Sequence, residues 1–481
     1  MRSTLLLGGS SLVTLLVGLL ATKCWAILLG PKGFGYLGLV QNLLLLAGLV
    51  AGCGVSTALV RFGAEAAAQN DLVRVAALRQ ASWWLTGLLA GVVGALMWIF
   101  GGPISTLLLG ANRDRGVVGW IGLALLFNLA GAIFTSLLNA HHRVGALARL
   151  NVLSKGVAAG VAVLVIFLWR EQGIVAAVVG GAIAAWGCAW RVCSREIRPE
   201  TDAVRPRQVI TAARDLLRFG VPCTASLLVG TGVQLLVPVI VLNLMGQESV
   251  GLYRAVATVS TAYLGLLLTT MTQDYYPRLS AVSRHLPALI DLVNEQHELI
   301  LLLAIPLVVV LLAAAPFLIP LIYSRQFRPV VSVLEWQLMG DILKFSSWTL
   351  AFVLLARDRS RAYFLAEAVV GITTVVSTWL GVRWFGLDGL GMAYLAQYAL
   401  YFAVVWLLVR REIDLPLTRV NRRLLVTGLA AAGLVRLTSL AGWRQGRAPI
   451  AWLLAVVVTV GSARILRKKY GGLRWLKERS T

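Results

Sequence analysis

Apolar stretches long enough to cross a bilayer follow one another along almost the whole chain, and this constrains the fold more than any other feature. A spanning helix takes roughly 20 mostly apolar residues. Fourteen such stretches are predicted, at about 5–29, 36–60, 81–101, 117–138, 152–169, 174–190, 219–245, 252–273, 299–323, 332–356, 363–384, 389–409, 424–440 and 449–466. Backbone polar groups cannot stay unpaired in lipid, so runs of this length are helices. The expected fold class is an all-α polytopic membrane protein. Composition agrees: 14% of the 481 residues are charged and 58% are hydrophobic, where a soluble chain carries about 25% charged residues. A soluble enzyme, a disordered chain and a disulfide-stapled secreted domain are excluded. The last two stretches are the weakest, because Arg436 interrupts one and the other is short.

The net charge of +23 would suggest nucleic acid in a soluble protein. Here the cations have a simpler use, since basic loops set membrane orientation. With the N-terminus inside, alternate loops and tails hold thirty Lys and Arg on one side. Nine lie on the other: Lys32, Arg113, Arg115, Arg170, Arg325, Arg328, Arg383, Arg444 and Arg447. The bias predicts both termini in the cytoplasm, which also requires an even number of spans. No nucleic-acid partner is expected. The run Leu5–Leu29 is too long for a signal-peptide core and no small-residue cleavage pattern follows it, so it is kept as a helix.

Part of the sequence returns at a shift of 216. Gly30 and Gly35 after the first span match Gly246 and Gly251 after the seventh. Leu138–Arg143, closing the fourth span, matches Leu354–Arg359, closing the tenth, and Gly173 matches Gly389. Each match is weak, but all fall in one register and at one topological place. They predict a six-helix lobe over 1–195, a basic cytoplasmic linker over 196–214, a second six-helix lobe over 215–411, and an extra helix pair with a basic tail over 412–481. An even number of helices per lobe gives both lobes the same orientation, related by a pseudo-two-fold along the membrane normal. Duplicated membrane chains of this kind rock one lobe against the other around a central site.

There is no Walker A motif, no His-Glu-x-x-His and no Gly-x-Ser-x-Gly elbow, and no large soluble segment to host an active site. The five cysteines form no Cys-x-x-Cys or Cys/His pattern, so no metal site is expected. The chemistry is sought instead among ionisable residues inside spans, which are costly and usually face an aqueous cavity. Arg61 lies near a span end and Lys23 about four residues from one, where long side chains also snorkel to the interface. The tenth span, Glu335-Trp336-Gln337-Leu338-Met339-Gly340-Asp341-Ile342-Leu343-Lys344, is the most informative. Asp341 and Lys344 are three apart and share a helix face. Two readings stand: a self-neutralising buried pair, or a cavity site. In the second, Lys344 meets an anionic headgroup and Asp341 or Glu335 takes a coupling cation. Lys23 and Arg254 lie on helices expected to face each other across the lobes, where cations would attract pyrophosphate. Most tryptophans fit interfacial belts, but Trp336 and Trp348, on the charged tenth span, could stack on sugar rings.

Leu29-Gly30-Pro31-Lys32-Gly33-Phe34-Gly35 and Gly52-Cys53-Gly54-Val55-Ser56-Thr57-Ala58-Leu59-Val60-Arg61-Phe62 resemble the opening motifs of O-antigen flippases of the Wzx type. So do Gly251-Leu252-Tyr253-Arg254-Ala255, Asp274-Tyr275-Tyr276-Pro277-Arg278-Leu279-Ser280, Trp336–Lys344 and Tyr363-Phe364-Leu365-Ala366-Glu367. The resemblance covers about 1–411 and is most specific at Trp336–Lys344. It implies the polysaccharide-transport branch of the multidrug/oligosaccharidyl-lipid/polysaccharide exporter superfamily. Members move undecaprenyl-pyrophosphate-linked oligosaccharides across the bacterial cytoplasmic membrane by alternating access. Carried onto this chain, the resemblance implies cationic cavity residues at Arg61, Arg254 and Lys344 and ion coupling, by H+ or Na+, at Asp341 and Glu367. It implies no other cofactor, and a polysaccharide polymerase and chain-length regulator as partners. The extra pair at 424–466 departs from the common twelve-helix flippases, and a fourteen-helix lipid II flippase belongs to the same superfamily. A cation-coupled drug exporter of the same fold and a non-transporting scaffold of a glycan-assembly complex are the alternatives. An integral-membrane glycosyltransferase lacks the loop with paired carboxylates that it would need.

Overall fold

The computed structural model describes residues 2–110, 115–197, 204–270, 274–440 and 447–470. The middle of the predicted linker (198–203), the end of the eighth span (271–273) and the end of the basic tail (471–481) lie outside them. The described residues form helices and no strands. In chain order they are α1 (Arg2–Gly52), α2 (Val55–Ala68), α3 (Leu72–Ile99), α4 (Gly101–Ile104), α5 (Arg115–Ala140), α6 (Val144–Trp169), α7 (Ile174–Glu196), α8 (Pro206–Thr270), α9 (Tyr276–Ala281), α10 (Leu286–Ile322), α11 (Val330–Ala356), α12 (Ser360–Ile413), α13 (Arg419–Leu440) and α14 (Arg447–Tyr470). Nine stretches among the described residues are long and apolar enough to cross a membrane. The protein is a multi-pass helical membrane protein.

Three helices are too long for one crossing, and each is broken at a glycine. α1 has 51 residues, α8 has 65 and α12 has 54. At about 1.5 Å per residue, α8 would be roughly 100 Å long if straight. The breaks are Gly30 (φ 63, ψ −176), Gly246 (φ 83, ψ 178) and Gly386 (φ 57, ψ −132). The first two occupy a backbone region open essentially to glycine alone. The breaks divide each long helix into two segments; the predicted span 36–60 runs across the turn at Cys53–Gly54 between α1 and α2, and the described part of 252–273 ends at Thr270.

The positive-φ residues repeat in the register read from the sequence. Gly30 and Gly246, His142 (φ 53) and Asp358 (φ 57), and Arg170 (φ 51, ψ −133) and Gly386 are three pairs 216 residues apart. Arg170 holds a conformation that its counterpart holds as glycine, which costs an L-residue about 1–3 kcal/mol.

The helices group into two compact units, Met1–Gly251 with Ile322–Ser324, and Leu252–Leu321 with Arg325–Thr481. In the first, α5 packs on α3 and α7, and α6 on α1 and α7. A buried core gathers Val55, Leu59, Leu78, Leu138, Leu150 and Leu216. Trp84, Leu88, Val92 and Leu96 of α3 are exposed at a spacing of four, which is an apolar stripe facing lipid. Within this unit the broken ends of α1 and α8 touch through the repeated glycines. A Cβ on Gly35 would fall on the Gln247 carbonyl oxygen, and a Cβ on Gly251 on the Pro31 carbonyl oxygen. Pro31 and Gln247 are also 216 apart, so the contact is reciprocal, as a two-fold requires. Gly251→Ala is therefore expected to cost about 1–3 kcal/mol and to lower the midpoint of thermal unfolding in detergent. An unchanged midpoint would contradict this packing.

In the second unit α11 packs along α12 and on α13. Its most apolar window is the most buried of the nine, at 72%, and the least hydrophobic, at a mean hydropathy of 1.4. The central helix thus carries polar cargo inward: Glu335, Gln337, Asp341, Ser346, Ser347 and Thr349 are all buried. The added pair is tied to α10. Asn294 Nδ2 donates to the Pro416 carbonyl at 3.2 Å, and Asn421 Nδ2 donates to the Asn294 carbonyl at 3.0 Å. Lys469 pairs with Glu298 at 2.7 Å. At the turn after α11, Arg357 and Arg359 share the Glu412 carboxylate at 3.2 and 2.9 Å.

Candidate functional site

Asp341 and Lys344 lie on one face of α11, and the second half of α12 completes their surroundings. The Tyr394 hydroxyl donates to Asp341 Oδ1 at 2.6 Å, and Lys344 Nζ donates to the Tyr394 hydroxyl at 3.3 Å. One phenol therefore links the ammonium to the carboxylate. Gly340 permits this approach, because a Cβ there would lie 2.7 Å from Tyr394 Cδ1. Lys344 Nζ also stands 5.1, 5.7 and 5.8 Å from the ring centroids of Tyr398, Tyr394 and Trp348. Ammonium groups within about 6 Å of aromatic faces are attracted by the ring quadrupole. Asp341 is fully buried, and Lys344 and Trp348 are partly so.

The aromatic series continues along α12. Tyr394 and Tyr398 stand 4.7 Å apart, and Tyr398 and Tyr401 6.3 Å. The Tyr401 hydroxyl donates to Glu367 Oε1 at 2.6 Å. Glu367, Tyr401, Tyr363 and Trp348 line one small cavity. Lys344, Asp341, Trp348 and Glu367 are thereby brought into one band of charge and aromatic rings.

Glu335 and Trp336 sit elsewhere on the same helix. Arg436 Nη1 of α13 donates to Glu335 Oε2 at 2.6 Å, with both side chains buried. Arg436 Nη2 lies 3.8 Å from Asp388 Oδ2, and Asp388 accepts from the Ser332 hydroxyl. The Arg436 guanidinium stands 5.1 Å from the Trp336 ring. The structure thus places Glu335 and Trp336 in the joint between α11, α12 and α13. Arg254, on α8, is partly buried in the same unit. Lys23 on α1 and Arg61 on α2 belong to the other unit. Arg61 is exposed, with its guanidinium 4.5 Å from the Phe219 ring and 5.5 Å from that of Phe62. Positions 216 before Asp341 and Lys344 are Leu125 and Asn128, so the ionic pair has no counterpart in the first repeat.

Tyr394, Tyr398, Tyr401, Asp388 and Arg436 are absent from the sequence reading of the site. Arg436 carried the one usable signal, an arginine inside an apolar span. Among the described residues no group of three or more His, Cys, Asp or Glu side chains could hold a metal ion.

A model of polysaccharide biosynthesis proteins matches residues 25–332, more than half of the chain. The chain belongs to the polysaccharide biosynthesis protein family. Among characterised relatives of this family member is the lipid III flippase of Escherichia coli (strain K12), 26% identical over 428 residues that cover 85% of this chain and 99% of that one. The lipid III flippase of Shigella flexneri matches equally. Among solved structures, the lipid II flippase MurJ in its inward closed conformation aligns with a TM-score of 0.70 at 15% identity, covering 96% of this chain and 99% of that one. An inward-facing multidrug resistance MATE transporter of the MOP superfamily aligns with a TM-score of 0.62 at 16% identity, covering 83% and 94%. This family member therefore has the MurJ- and MATE-like transporter fold.

Proposed function

We propose that the protein flips a lipid-linked oligosaccharide, an undecaprenyl-pyrophosphate-bound repeat unit of a surface polysaccharide such as O-antigen, from the inner to the outer leaflet of the bacterial cytoplasmic membrane. The observation that carries the reading is the Lys344 ammonium, held by Tyr394 and three aromatic rings on the most buried helix of its unit. A cation costs too much in such a place without an anionic partner or a hydrated path. Asp341, reached through the Tyr394 hydroxyl, is the resident anion; a pyrophosphate supplies a second, and the neighbouring rings suit sugar faces. The similarity to lipid III flippases over 85% of this chain supports the same substrate class.

Lys344 has two alternative counter-anions in this scheme, the Asp341 carboxylate and the pyrophosphate. When the ammonium turns to the substrate, Asp341 is left to a coupling cation, H+ or Na+, and substrate binding is linked to ion binding. Glu367, held by Tyr401, is the second carboxylate available to an ion. Lys23, Arg61 and Arg254 serve as further cations on the headgroup's path. The repeat at 216 supports lobes over 1–195 and 215–411 that rock in alternating access, with 196–214 as linker, 412–481 as an added pair, and both termini cytoplasmic. A polymerase and a chain-length regulator take the product on the far side. In cells lacking the protein, one undecaprenyl-linked glycan is expected to accumulate in the inner leaflet, read by mass spectrometry of extracted lipids with a periplasmic probe.

A further inference from the structure

Glu367 is the carboxylate that the Asp341–Lys344 arrangement leaves over. It is exposed near the start of α12, and the Tyr401 hydroxyl donates to its Oε1 at 2.6 Å. The Tyr363 hydroxyl, one turn earlier, bonds to the same carboxylate. Phenols neutralise no charge, and among the described residues no Lys, Arg or His side chain forms an ion pair with Glu367. Residues 271–273, just before Tyr275, are Met271, Thr272 and Gln273 and carry no charge. A carboxylate inside a span is costly unless it is paired or faces a watery cavity. An open one with two hydroxyl donors and no counter-ion marks a place for a cation.

The cavity beside it has a volume of about 60 Å³ and is lined by Trp348, Ala351 and Phe352 of α11 and by Tyr363, Glu367 and Tyr401 of α12. Trp348 and Phe352 are four apart, as are Tyr363 and Glu367, so each pair shares one helix face. Phe352 is held from behind by the rings of Tyr275 and Tyr276 at 6.1 and 5.8 Å. Tyr275 is itself fixed, its hydroxyl donating to the Thr349 carbonyl at 3.1 Å. Four aromatic side chains around one carboxylate are the surroundings that recognise organic ammonium ions. Size narrows the choice. A drug-sized ligand fills about 300 Å³ or more, whereas a water-sized group takes about 30 Å³, so the cavity admits one ammonium with its carbon. A divalent metal ion takes about six or more oxygen ligands, and the lining offers the Glu367 carboxylate and two phenols.

We infer that this cage is a subsite for a primary ammonium group carried by the ligand, with Glu367 as its counter-anion and the rings of Trp348, Phe352, Tyr363 and Tyr401 as its walls. Trp348 is shared with the anion site, since Lys344 Nζ stands 5.8 Å from its ring. A cation that receives phosphate and a carboxylate that receives ammonium thus flank one indole, an arrangement suited to a ligand with both charges. Two ligands bring that chemistry: a lipid-linked glycan with an unacetylated amino sugar, and a phospholipid with an ethanolamine headgroup. Of the two carboxylates open to an ion, Asp341 keeps the coupling cation and Glu367 takes the cation of the ligand itself. That the ammonium arrives on transported cargo rests on the flippase reading, but the cage does not.

The test is native mass spectrometry on the delipidated full chain with two matched pairs of probes. One pair is undecaprenyl-pyrophosphate-linked glucosamine and its N-acetyl form; the other is phosphatidylethanolamine and its N-acetyl form, with identical acyl chains. Acetylation removes the charge and leaves the rest of each probe in place. The free amine is expected to be retained about tenfold more than its amide in at least one pair, roughly 1.4 kcal/mol of preference. Preference in the sugar pair assigns the ammonium to the glycan, and preference in the phospholipid pair assigns it to the bilayer. Glu367→Gln, which keeps the shape and the Tyr401 hydrogen bond, should abolish the preference. Phe352→Leu, which keeps an apolar wall and removes a ring, should lower it severalfold, and it decides the matter if Glu367→Gln does not stay monodisperse. No preference in either pair, or one that survives in both variants, would overturn the subsite. Retention is read without translocation, so that failure would leave the flippase reading standing, and a failure to flip glycans would leave the cage standing.

Discussion

Lys344→Gln is expected to abolish glycan export while leaving the protein in the membrane at its normal level. Losing one partner of a desolvated charge pair costs about 2–5 kcal/mol, so a fall of roughly a hundredfold or more in translocation follows at 1.4 kcal/mol per tenfold. The substitution keeps a polar end on a side chain one atom shorter, and Asp341 keeps its hydrogen bond from Tyr394. A buried carboxylate without its cation could still disturb folding, so the companion variant Lys344→Gln with Asp341→Asn removes both charges. It should restore any lost thermal stability without restoring export. Lys344→Arg should export weakly, because a planar fork does not match a box that holds an ammonium between three rings. Normal surface glycan in Lys344→Gln cells would remove Lys344 from the substrate path.

Arg436→Ala is expected to have the largest effect on stability of any single truncation in the second unit. It leaves Glu335 charged in a fully buried position, and breaking a buried pair from one side costs about 3–5 kcal/mol. It also frees Asp388 and uncovers the face of Trp336. The midpoint of thermal unfolding in detergent should fall sharply. Replacing both partners, Arg436→Met with Glu335→Gln, should recover most of the loss, since a well-packed neutral pair of similar volume is often no worse than an ion pair. A midpoint unchanged by Arg436→Ala would show that the pair does not hold α13 on α11.

These two expectations mark how far the sequence reached. Spans were legible because lipid demands long apolar helices, and the breaks because Gly30 and Gly246 need a backbone region that other residues avoid. The 216-residue register was visible in glycines and turns, and the paired torsions of His142 with Asp358 and Arg170 with Gly386 extend it to positions whose residue types differ. Within the site, Asp341 and Lys344 were legible as a pair because a spacing of three fixes their shared face. Their environment was not, because Tyr394 and Tyr398 come from another helix some fifty residues on, and helix pairing leaves no local signal. Glu335 shows the same gap. On α11 alone it resembles its neighbour Asp341, and only the fold, by setting Arg436 against it from 101 residues away, separates a carboxylate in a helix joint from one in the aromatic band.

The most direct measurement is the leaflet of the lipid-linked glycan in cells from which the protein is removed. Lipids are extracted, undecaprenyl-linked species are identified by mass spectrometry, and a periplasmic probe assigns each to a leaflet. The account predicts that one undecaprenyl-pyrophosphate-linked oligosaccharide accumulates facing the cytoplasm, and that wild-type protein, but not Lys344→Gln, returns it to the outer leaflet. An unchanged distribution of these lipids, with surface polysaccharide at its normal level, would contradict it.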